Sequence, residues 1–251
     1  MKSGCACGVD WDLAGQVQQL LLPKSSPVCG WCCIGVRNVM ASTIGGDYFD
    51  FIPLPDGCQS LFVGDVTGHG THASLVMSLL YGYIHNVAEG DCDPRTMVQR
   101  INGFLQNFAR RSVEYDHFFS STLFYGIIHP ETLMLRYVNA GHVAPMVLRD
   151  GKIVYLGTTT APVGFFDHPE VEVQTFQFRQ SDRLLLYTDG ITDLQNPAGE
   201  FFGMARLEHL LETSAEDYLA FLDHLLQDIE TFAGGQELVD DCTAIVVDFH
   251  G

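Results

Sequence analysis

The sequence has few basic residues and no long apolar run. Lys and Arg together number 13 against 31 Asp and Glu, which gives a formal net charge of −18. A chain this acidic lacks the positive surface that nucleic acids and anionic membranes attract, so neither is expected as a partner. Because there is no signal peptide and no stretch of 18 apolar residues, we expect a cytoplasmic protein without a membrane span. An anionic substrate would have to be met locally, by a bound cation or a helix N-terminus.

The eight cysteines do not form a cysteine-phosphatase motif, because none is followed by Arg six residues later. A chain of 251 residues does not need disulfides to fold, and a reducing compartment would keep these residues as thiols. Cys5-x-Cys7 and Cys29-x-x-Cys32 supply four possible zinc ligands, although C-x-C is not the usual zinc spacing and Cys33 is left over. Buried or adventitious thiols are the preferred interpretation.

The order of the predicted elements favours an α+β fold. Residues 1–11 resemble a leader or the remnant of an upstream segment, and residues 12–251 are expected to form one domain. Hairpin turns dominate, so the sheets should be mainly antiparallel, and two stacked sheets covered by helix pairs would bury all the elements. The predicted helices span 12–22, 71–88, 94–112, 204–213 and 215–232, and the predicted strands span 33–40, 47–54, 59–66, 118–128, 133–139, 144–149, 152–156, 171–178, 183–188 and 243–249.

The helix over 12–22 leads into the domain and is amphipathic. Leu13, Val17 and Leu20 or Leu21 share one face of it. Such a face needs a partner. We expect it to pack on its own domain, to pair with a second copy in a homodimer, or to continue from an upstream sensor domain.

Asp47 and Asp65 are predicted to meet at the open end of a hairpin. A two-residue turn at Asp56-Gly57 would place Asp47 opposite Val66, and a shift of one residue would place it opposite Asp65. Two carboxylates this close repel each other unless a cation lies between them. The glycines before Asp47 allow a close backbone approach, so a main-chain carbonyl could join the site.

Two further acidic sites lie at strand ends. Asp189 follows an apolar strand, and Asp240-Asp241 precede the last strand. A lone Asp-Gly after a strand is usually a turn, and an Asp pair before a strand is often a solvated loop. Four such sites, two of them brought together by a hairpin, favour a metal site instead. Carboxylates, a carbonyl and water suit Mg²⁺ or Mn²⁺, whereas zinc favours His or Cys.

Five motifs in this order resemble the SpoIIE/RsbU-type phosphatases, the bacterial branch of the PPM phosphatases and relatives of protein phosphatase 2C. The resemblance covers about residues 12–250. It implies an αββα sandwich and a two-metal (Mn²⁺ or Mg²⁺) phosphatase that hydrolyses phosphoserine or phosphothreonine. The motifs are Gly45-Gly46-Asp47-Tyr48-Phe49-Asp50, Gly64-Asp65-Val66-Thr67-Gly68-His69-Gly70, Asn139-Ala140-Gly141-His142, Tyr187-Thr188-Asp189-Gly190-Ile191 and Asp240-Asp241-Cys242-Thr243.

The resemblance also implies roles for individual residues. Asp65 would bridge the two metals, and Val66 would offer its carbonyl. Asp47, Asp189 and Asp240 would complete the ligand set, with Asp65 and Asp47 as the catalytic residues.

Five other residues have weaker assignments. Asp241 is a second-choice ligand, because its family counterpart is often another polar residue. Asp50 could act through water. His69 is a candidate for contact with the substrate phosphate, with capping or packing as the alternative, and His142 is expected to shape its loop rather than to bind metal. Arg37 is the nearest candidate for an arginine that holds the phosphate.

The resemblance implies a phosphorylated anti-sigma-factor antagonist as the substrate, as in partner-switching control of transcription. Two alternatives remain open: a catalytically weak regulatory module that binds a phosphoprotein, and a hydrolase of a small phosphoester. Diguanylate cyclase, suggested by Gly45-Gly46-Asp47, is disfavoured because Tyr48 replaces the acidic residue expected there.

Overall fold

The computed structural model describes residues 11–23, 29–88, 93–111 and 119–250. These residues form ten strands in two antiparallel sheets, together with helices that cover both sheets. The helices are α1 (Trp11–Leu21), α2 (Thr71–Ala88), α3 (Pro94–Arg110), α4 (Asp189–Thr192), α5 (Gly203–Thr213) and α6 (Tyr218–Ala233). The strands are β1 (Cys32–Val39), β2 (Asp47–Pro53), β3 (Gln59–Val66), β4 (Ser121–His129), β5 (Met134–Ala140), β6 (Met146–Arg149), β7 (Lys152–Tyr155), β8 (Gln174–Gln177), β9 (Arg183–Tyr187) and β10 (Cys242–Phe249).

Each sheet has five strands. The β1 sheet has the order β1-β10-β9-β6-β7, and the β2 sheet has the order β2-β3-β4-β5-β8. Helices α2 and α3 pack on the β2 sheet, whereas α5 and α6 pack on the β1 sheet. The predicted α+β sandwich of antiparallel sheets flanked by helix pairs is therefore confirmed. Among the described residues, no helix has the length and apolar character needed to cross a bilayer.

The core has two parts, which the alternation of side chains along the strands separates. Leu184 and Leu186 of β9 point into the larger cluster, which lies between the sheets and beneath α2 and α3. Leu185 and Tyr187 point the other way, into the cluster beneath α5 and α6. A strand that is apolar on both faces, such as β9, therefore packs against both clusters. This packing on both faces fixes the position of the strand and of its ends.

The connection between β2 and β3 is longer than the predicted two-residue turn. It comprises residues 54–58, and the Leu54 N–H donates to the Cys58 carbonyl at 2.8 Å. The resulting register pairs Asp47 directly with Asp65. The prediction of a two-residue turn was therefore wrong. The alternative register, shifted by one residue so that Asp47 lies opposite Asp65, is the one that the chain adopts.

Helix α1 contacts the domain mainly through two residues that are small or polar. Gly15 and Gln18 are buried, whereas Leu13, Val17 and Leu20 are 55%, 54% and 69% exposed. Leu21, the other predicted member of this face, packs against the core. Packing of the apolar face on its own domain is therefore confirmed for Leu21 and not for Val17 or Leu20. Pairing with a second copy and continuation from an upstream domain remain predictions.

The contact between α1 and the loop before β2 is close and polar. The Gln18 side chain donates to the Gly45 carbonyl at 2.8 Å and accepts from the Gly45 N–H at 2.8 Å. A Cβ on Gly15 would lie 2.6 Å from the Thr43 carbonyl oxygen, so only glycine fits there. The helix thus rests on the segment that leads directly into Asp47.

Candidate functional site

Four strand ends meet at one end of the sandwich, and each carries an aspartate. Asp47 begins β2 and lies opposite Asp65, the next-to-last residue of β3. Asp189 begins α4, two residues after the end of β9, and Asp240 lies two residues before β10. Because β9 and β10 are neighbours in one sheet and β2 and β3 in the other, the four aspartates come from both layers.

Asp47 connects the two sheets. Its side chain is 2% exposed. One carboxylate oxygen, Oδ2, accepts hydrogen bonds from two hydroxyls of the other layer. Thr188, which directly follows β9, donates at 2.8 Å, and Thr243 of β10 donates at 2.5 Å. These bonds fix the orientation of the Asp47 carboxylate. The sequence analysis included both threonines in its motifs but assigned them no role.

The backbone of Asp65 is held by two hydroxyls of β4. Ser121 Oγ donates to the Asp65 carbonyl at 2.7 Å, and the Asp65 N–H donates to Thr122 Oγ1 at 3.3 Å. A Cβ on Gly46 would lie 3.1 Å from Asp65 Oδ1 and 3.4 Å from the Val66 carbonyl oxygen. Glycine at position 46 therefore lets the backbone pass close to both oxygens. A ligand role for the Val66 carbonyl stays a prediction.

Asp241 organises the loop before β2. Its carboxylate accepts from the N–H of Ala41 at 2.8 Å and from the N–H of Gly46 at 2.7 Å. A Cβ on Gly45 would lie 2.1 Å from Asp241 Oδ2, so this close packing requires glycine. With both oxygens engaged by the backbone, Asp241 has a structural function, and Asp240 is the member of the pair that remains exposed.

The aspartates destabilise one another's charged forms. Burial, and then the charge of Asp65, raises the pKa of Asp47 well above its usual value. Burial, and then Asp189, Asp240 and Asp241, raises the pKa of Asp65 to about 8. Burial also raises the pKa values of Asp189 and Asp240.

The donor chemistry fits a hard divalent cation, because all the groups are oxygens and the carboxylates repel one another without one. Within the described part of the chain, no three His, Cys, Asp or Glu side chains lie close enough together to form a ready-made metal cage.

A cleft of about 150 Å³ opens beside Asp240 and includes Gly46 and His69 in its lining. His69 is exposed and lies between Gly68 and Gly70, whose positive φ values of 95° and 77° shape the turn before α2. Neither Lys nor Arg is among the described residues that line this cleft. Among the described lining residues, His69 is therefore the only basic side chain that a phosphate group could meet.

Two other residues lie away from the cleft. Asp50 is on the opposite face of β2, where its carboxylate accepts a hydrogen bond from the Tyr81 hydroxyl and lies 2.8 Å from His85 Nε2. Arg37 binds Asp223 of α6 at 2.6 Å. The suggestion that Arg37 holds the phosphate is therefore wrong, because its guanidinium is engaged on the outer, helix-covered face of the β1 sheet.

His142 is buried and in contact with protein groups on both ring nitrogens. Nδ1 lies 2.9 Å from Thr122 Oγ1, and Nε2 lies 3.0 Å from the Tyr187 carbonyl. Burial lowers its pKa to about 4, so the ring is neutral at pH 7. These contacts agree with a loop-shaping role.

Of the cysteines in the alternative zinc site, Cys29 and Cys32 are free thiols, and Cys5 and Cys7 lie outside the described residues.

Comparison with known proteins agrees with this geometry. The sequence model of the family described as Stage II sporulation protein E (SpoIIE) matches residues 55–250. The chain is 28% identical to Protein IcfG of Synechocystis sp., over 92% of this chain and 40% of that protein. It is 24% identical to phosphoserine phosphatase RsbU of Bacillus subtilis, over 94% of this chain and 69% of RsbU. The chain thus spans about two fifths of the length of IcfG.

The fold also matches a solved structure. The SiaA-PP2C domain of Pseudomonas aeruginosa superposes with a TM-score of 0.81 at 19% identity, over 96% of each chain, which establishes a shared fold. The SpoIIE match includes Asp65, Asp189 and Asp240 and extends over most of the sequence. The chain therefore belongs to the SpoIIE family, in the SpoIIE/RsbU branch of the PPM phosphatases.

Proposed function

We propose that this chain is a metal-dependent phosphoprotein phosphatase that hydrolyses phosphoserine or phosphothreonine. The observation that carries the proposal is the meeting of Asp47, Asp65, Asp189 and Asp240 at one end of the sandwich. In a chain with a net charge of −18, such a cluster would repel a phosphate unless cations intervened.

Two Mn²⁺ or Mg²⁺ ions are the proposed cofactors, with Asp47, Asp65, Asp189, Asp240 and the Val66 carbonyl as ligands. When bound, they would lower the pKa of a water nucleophile and neutralise the phosphate oxygens. Asp65 is the proposed bridging ligand, because it lies opposite Asp47 in the β2 sheet and is influenced by the charges of Asp189 and Asp240.

The residues around the carboxylates prepare them for this task. Thr188 and Thr243 engage one oxygen of Asp47 and leave the other oxygen to a ligand role. Asp241 fixes the backbone of Gly46, which lies close to both the Asp65 carboxylate and the Val66 carbonyl. These interactions position the donors before a cation binds, which reduces the cost of ordering them.

The proposed substrate is a phosphorylated protein of the anti-sigma-factor-antagonist type. The cleft beside Asp240 contributes no Lys or Arg from the described residues, so recognition of the phosphate would depend on the cations and on His69. The relative RsbU is named a phosphoserine phosphatase. A cytoplasmic location also remains a prediction.

We further propose that residues 12–251 are the phosphatase domain and that α1 connects it to a second copy or to an upstream sensor domain. Val17 and Leu20 are 54% and 69% exposed, so the described part of the domain leaves most of their apolar surface open. Burial of one such side chain typically contributes about 1.5–3 kcal/mol, which gives a partner a reason to bind there.

The experiment is phosphate release from phosphoserine and phosphothreonine peptides, from a panel of phosphorylated antagonist proteins and from p-nitrophenyl phosphate. We expect no activity in EDTA, full activity after addition of Mn²⁺ or Mg²⁺, and no activation by zinc. Full activity in metal-free buffer would contradict the proposal. Turnover of the small ester alone would identify a small-phosphoester hydrolase, and binding of a phosphoprotein without turnover would identify a regulatory module.

A further inference from the structure

The turn after β5 directs one histidine into the protein interior. Asn139 Oδ1 accepts a hydrogen bond from the His142 N–H at 2.9 Å, which closes the turn. Gly141 has a φ of 68°, and a Cβ there would lie 2.5 Å from the Pro162 ring. Both constraints favour a single backbone conformation, in which the His142 side chain lies inside the protein at 3% exposure.

The two ring nitrogens of His142 have different partners. The Tyr187 carbonyl, 3.0 Å from Nε2, can only accept, so Nε2 carries the proton. Nδ1 is then an acceptor, and the Thr122 hydroxyl donates to it at 2.9 Å. The surroundings of the ring therefore select one tautomer.

Each partner of His142 is next to a proposed metal ligand in a different sheet. Thr122 lies directly opposite Asp65 in the β2 sheet, and its Oγ1 accepts the Asp65 N–H at 3.3 Å. Tyr187 is the last residue of β9 in the β1 sheet, two residues before Asp189. The hydrogen bonds run in one direction, from the Asp65 N–H through Thr122 and His142 to the Tyr187 carbonyl. The Thr122 hydroxyl also lies 3.5 Å from the Asp65 carbonyl, a longer contact than its 2.9 Å to His142 Nδ1.

We propose that His142 is a positioning residue that sets the separation of Asp65 and Asp189 across the two sheets and thereby the affinity of the site for its metal ions. The inference rests on the proposed metal site. The His142 ring touches neither aspartate in this chain of contacts. It acts through Thr122 and Tyr187. Mutation of groups that support metal ligands in this way typically lowers the affinity for the metal by about 10–100-fold.

Mn²⁺ binding to metal-stripped protein, measured by calorimetry, tests the proposal without substrate. His142→Phe keeps an aromatic ring but removes both hydrogen bonds, and we expect its Kd for Mn²⁺ to rise at least about tenfold. His142→Gln retains an N–H that can reach the Tyr187 carbonyl, so it should fall between His142→Phe and the wild type. Leu225→Ala is the control for a general loss of stability, because it opens a cavity in the core beneath α6, away from the proposed metal site. The Kd of this variant for Mn²⁺ should equal that of the wild type.

Thr122→Val provides a second test if His142→Phe does not fold. This nearly isosteric change removes the hydroxyl that links Asp65 to His142, and we expect a comparable rise in Kd. The His142→Gln and Thr122→Val effects should also be less than additive when combined, because both interrupt one chain of hydrogen bonds.

An unchanged Kd in folded His142→Phe or Thr122→Val, additive effects, or a rise in Kd for Leu225→Ala as large as that for His142→Phe would overturn the proposal. So would a wild-type chain that binds no Mn²⁺. A wild type that binds Mn²⁺ but releases no phosphate from any phosphoprotein would refute the proposed function, while the Kd values would still decide the role of His142.

Discussion

Replacing Gln18 with Ala removes both hydrogen bonds that hold α1 to Gly45. Gln18 is 4% exposed, and its amide satisfies the N–H and the carbonyl of Gly45 at 2.8 Å each. Gly45 in turn packs against the Asp241 carboxylate, which holds Gly46 immediately before Asp47. A change on the helix should therefore alter the position of Asp47, the first proposed metal ligand.

The size of the effect follows from the two bonds. Each buried hydrogen bond contributes a net of about 0.5–1.5 kcal/mol, so loss of both weakens the docking of α1 by about 1–3 kcal/mol. That corresponds to roughly a 5- to 150-fold change in the docking equilibrium. We expect faster amide hydrogen exchange in residues 41–46, weaker Mn²⁺ binding and lower phosphatase activity at limiting Mn²⁺.

Gln19 offers a matched control on the same helix. It is the same residue type, one position away, and its side chain is exposed. Gln19→Ala should leave exchange, Mn²⁺ affinity and turnover at wild-type values. If Gln18→Ala behaves like Gln19→Ala in all three measurements, the helix does not communicate with the metal site and the reasoning is refuted.

Three further predictions follow from the site and the helix. Asp65→Asn should reduce turnover more than Asp189→Asn or Asp240→Asn, by at least on the order of 100-fold. It should not lower the stability of the metal-free protein, because burial and the neighbouring aspartates raise the pKa of Asp65 to about 8 and so already disfavour its charged form. A near-normal rate in a preparation free of wild type would overturn the assignment. Combined replacement of Val17 and Leu21 by Glu should alter both oligomeric state and metal-dependent turnover, and an unchanged mass and rate would make α1 purely structural. The pKa of His142 is lowered from 6.5 to about 4, so its neutral ring contributes about 3 kcal/mol of stability that is present above pH 6.5 and lost as the pH falls towards 4. Urea unfolding in EDTA should show His142→Gln losing less stability than the wild type over that window, and equal losses would contradict the buried neutral state.

The aspartates at strand ends could be predicted from the sequence because local patterns mark them. Alternating or continuous apolar residues identify the strands, and adjacent glycines identify their ends. The exact pairing of Asp47 with Asp65 could not be fixed, since it depends on how residues 54–58 close the loop. The two sequence-based registers differed by one residue, and the longer loop selects between them.

Other features depend on partners that are distant in the sequence. Gln18 is polar and was not assigned to the contact face of the helix, yet it is buried because Gly45 offers matching groups 27 residues away. The hydroxyls of Thr188 and Thr243 bind Asp47 across separations of 141 and 196 residues. Residue type alone cannot reveal such partners, because Thr in a strand is commonplace without any polar role.

The pairing of β1 with β10 has a consequence for the order of events during synthesis. β1 is an edge strand whose neighbour in its sheet is the last strand of the chain. An emerging polypeptide that has not yet released Thr243 from the ribosome lacks both this neighbour and one of the two hydroxyls that orient Asp47. Long-range pairing of this kind closes late in folding. A product that ends before residue 240 therefore lacks Asp240 and the layer that supports Asp47, so the proposed metal site is incomplete until β10 has been synthesised.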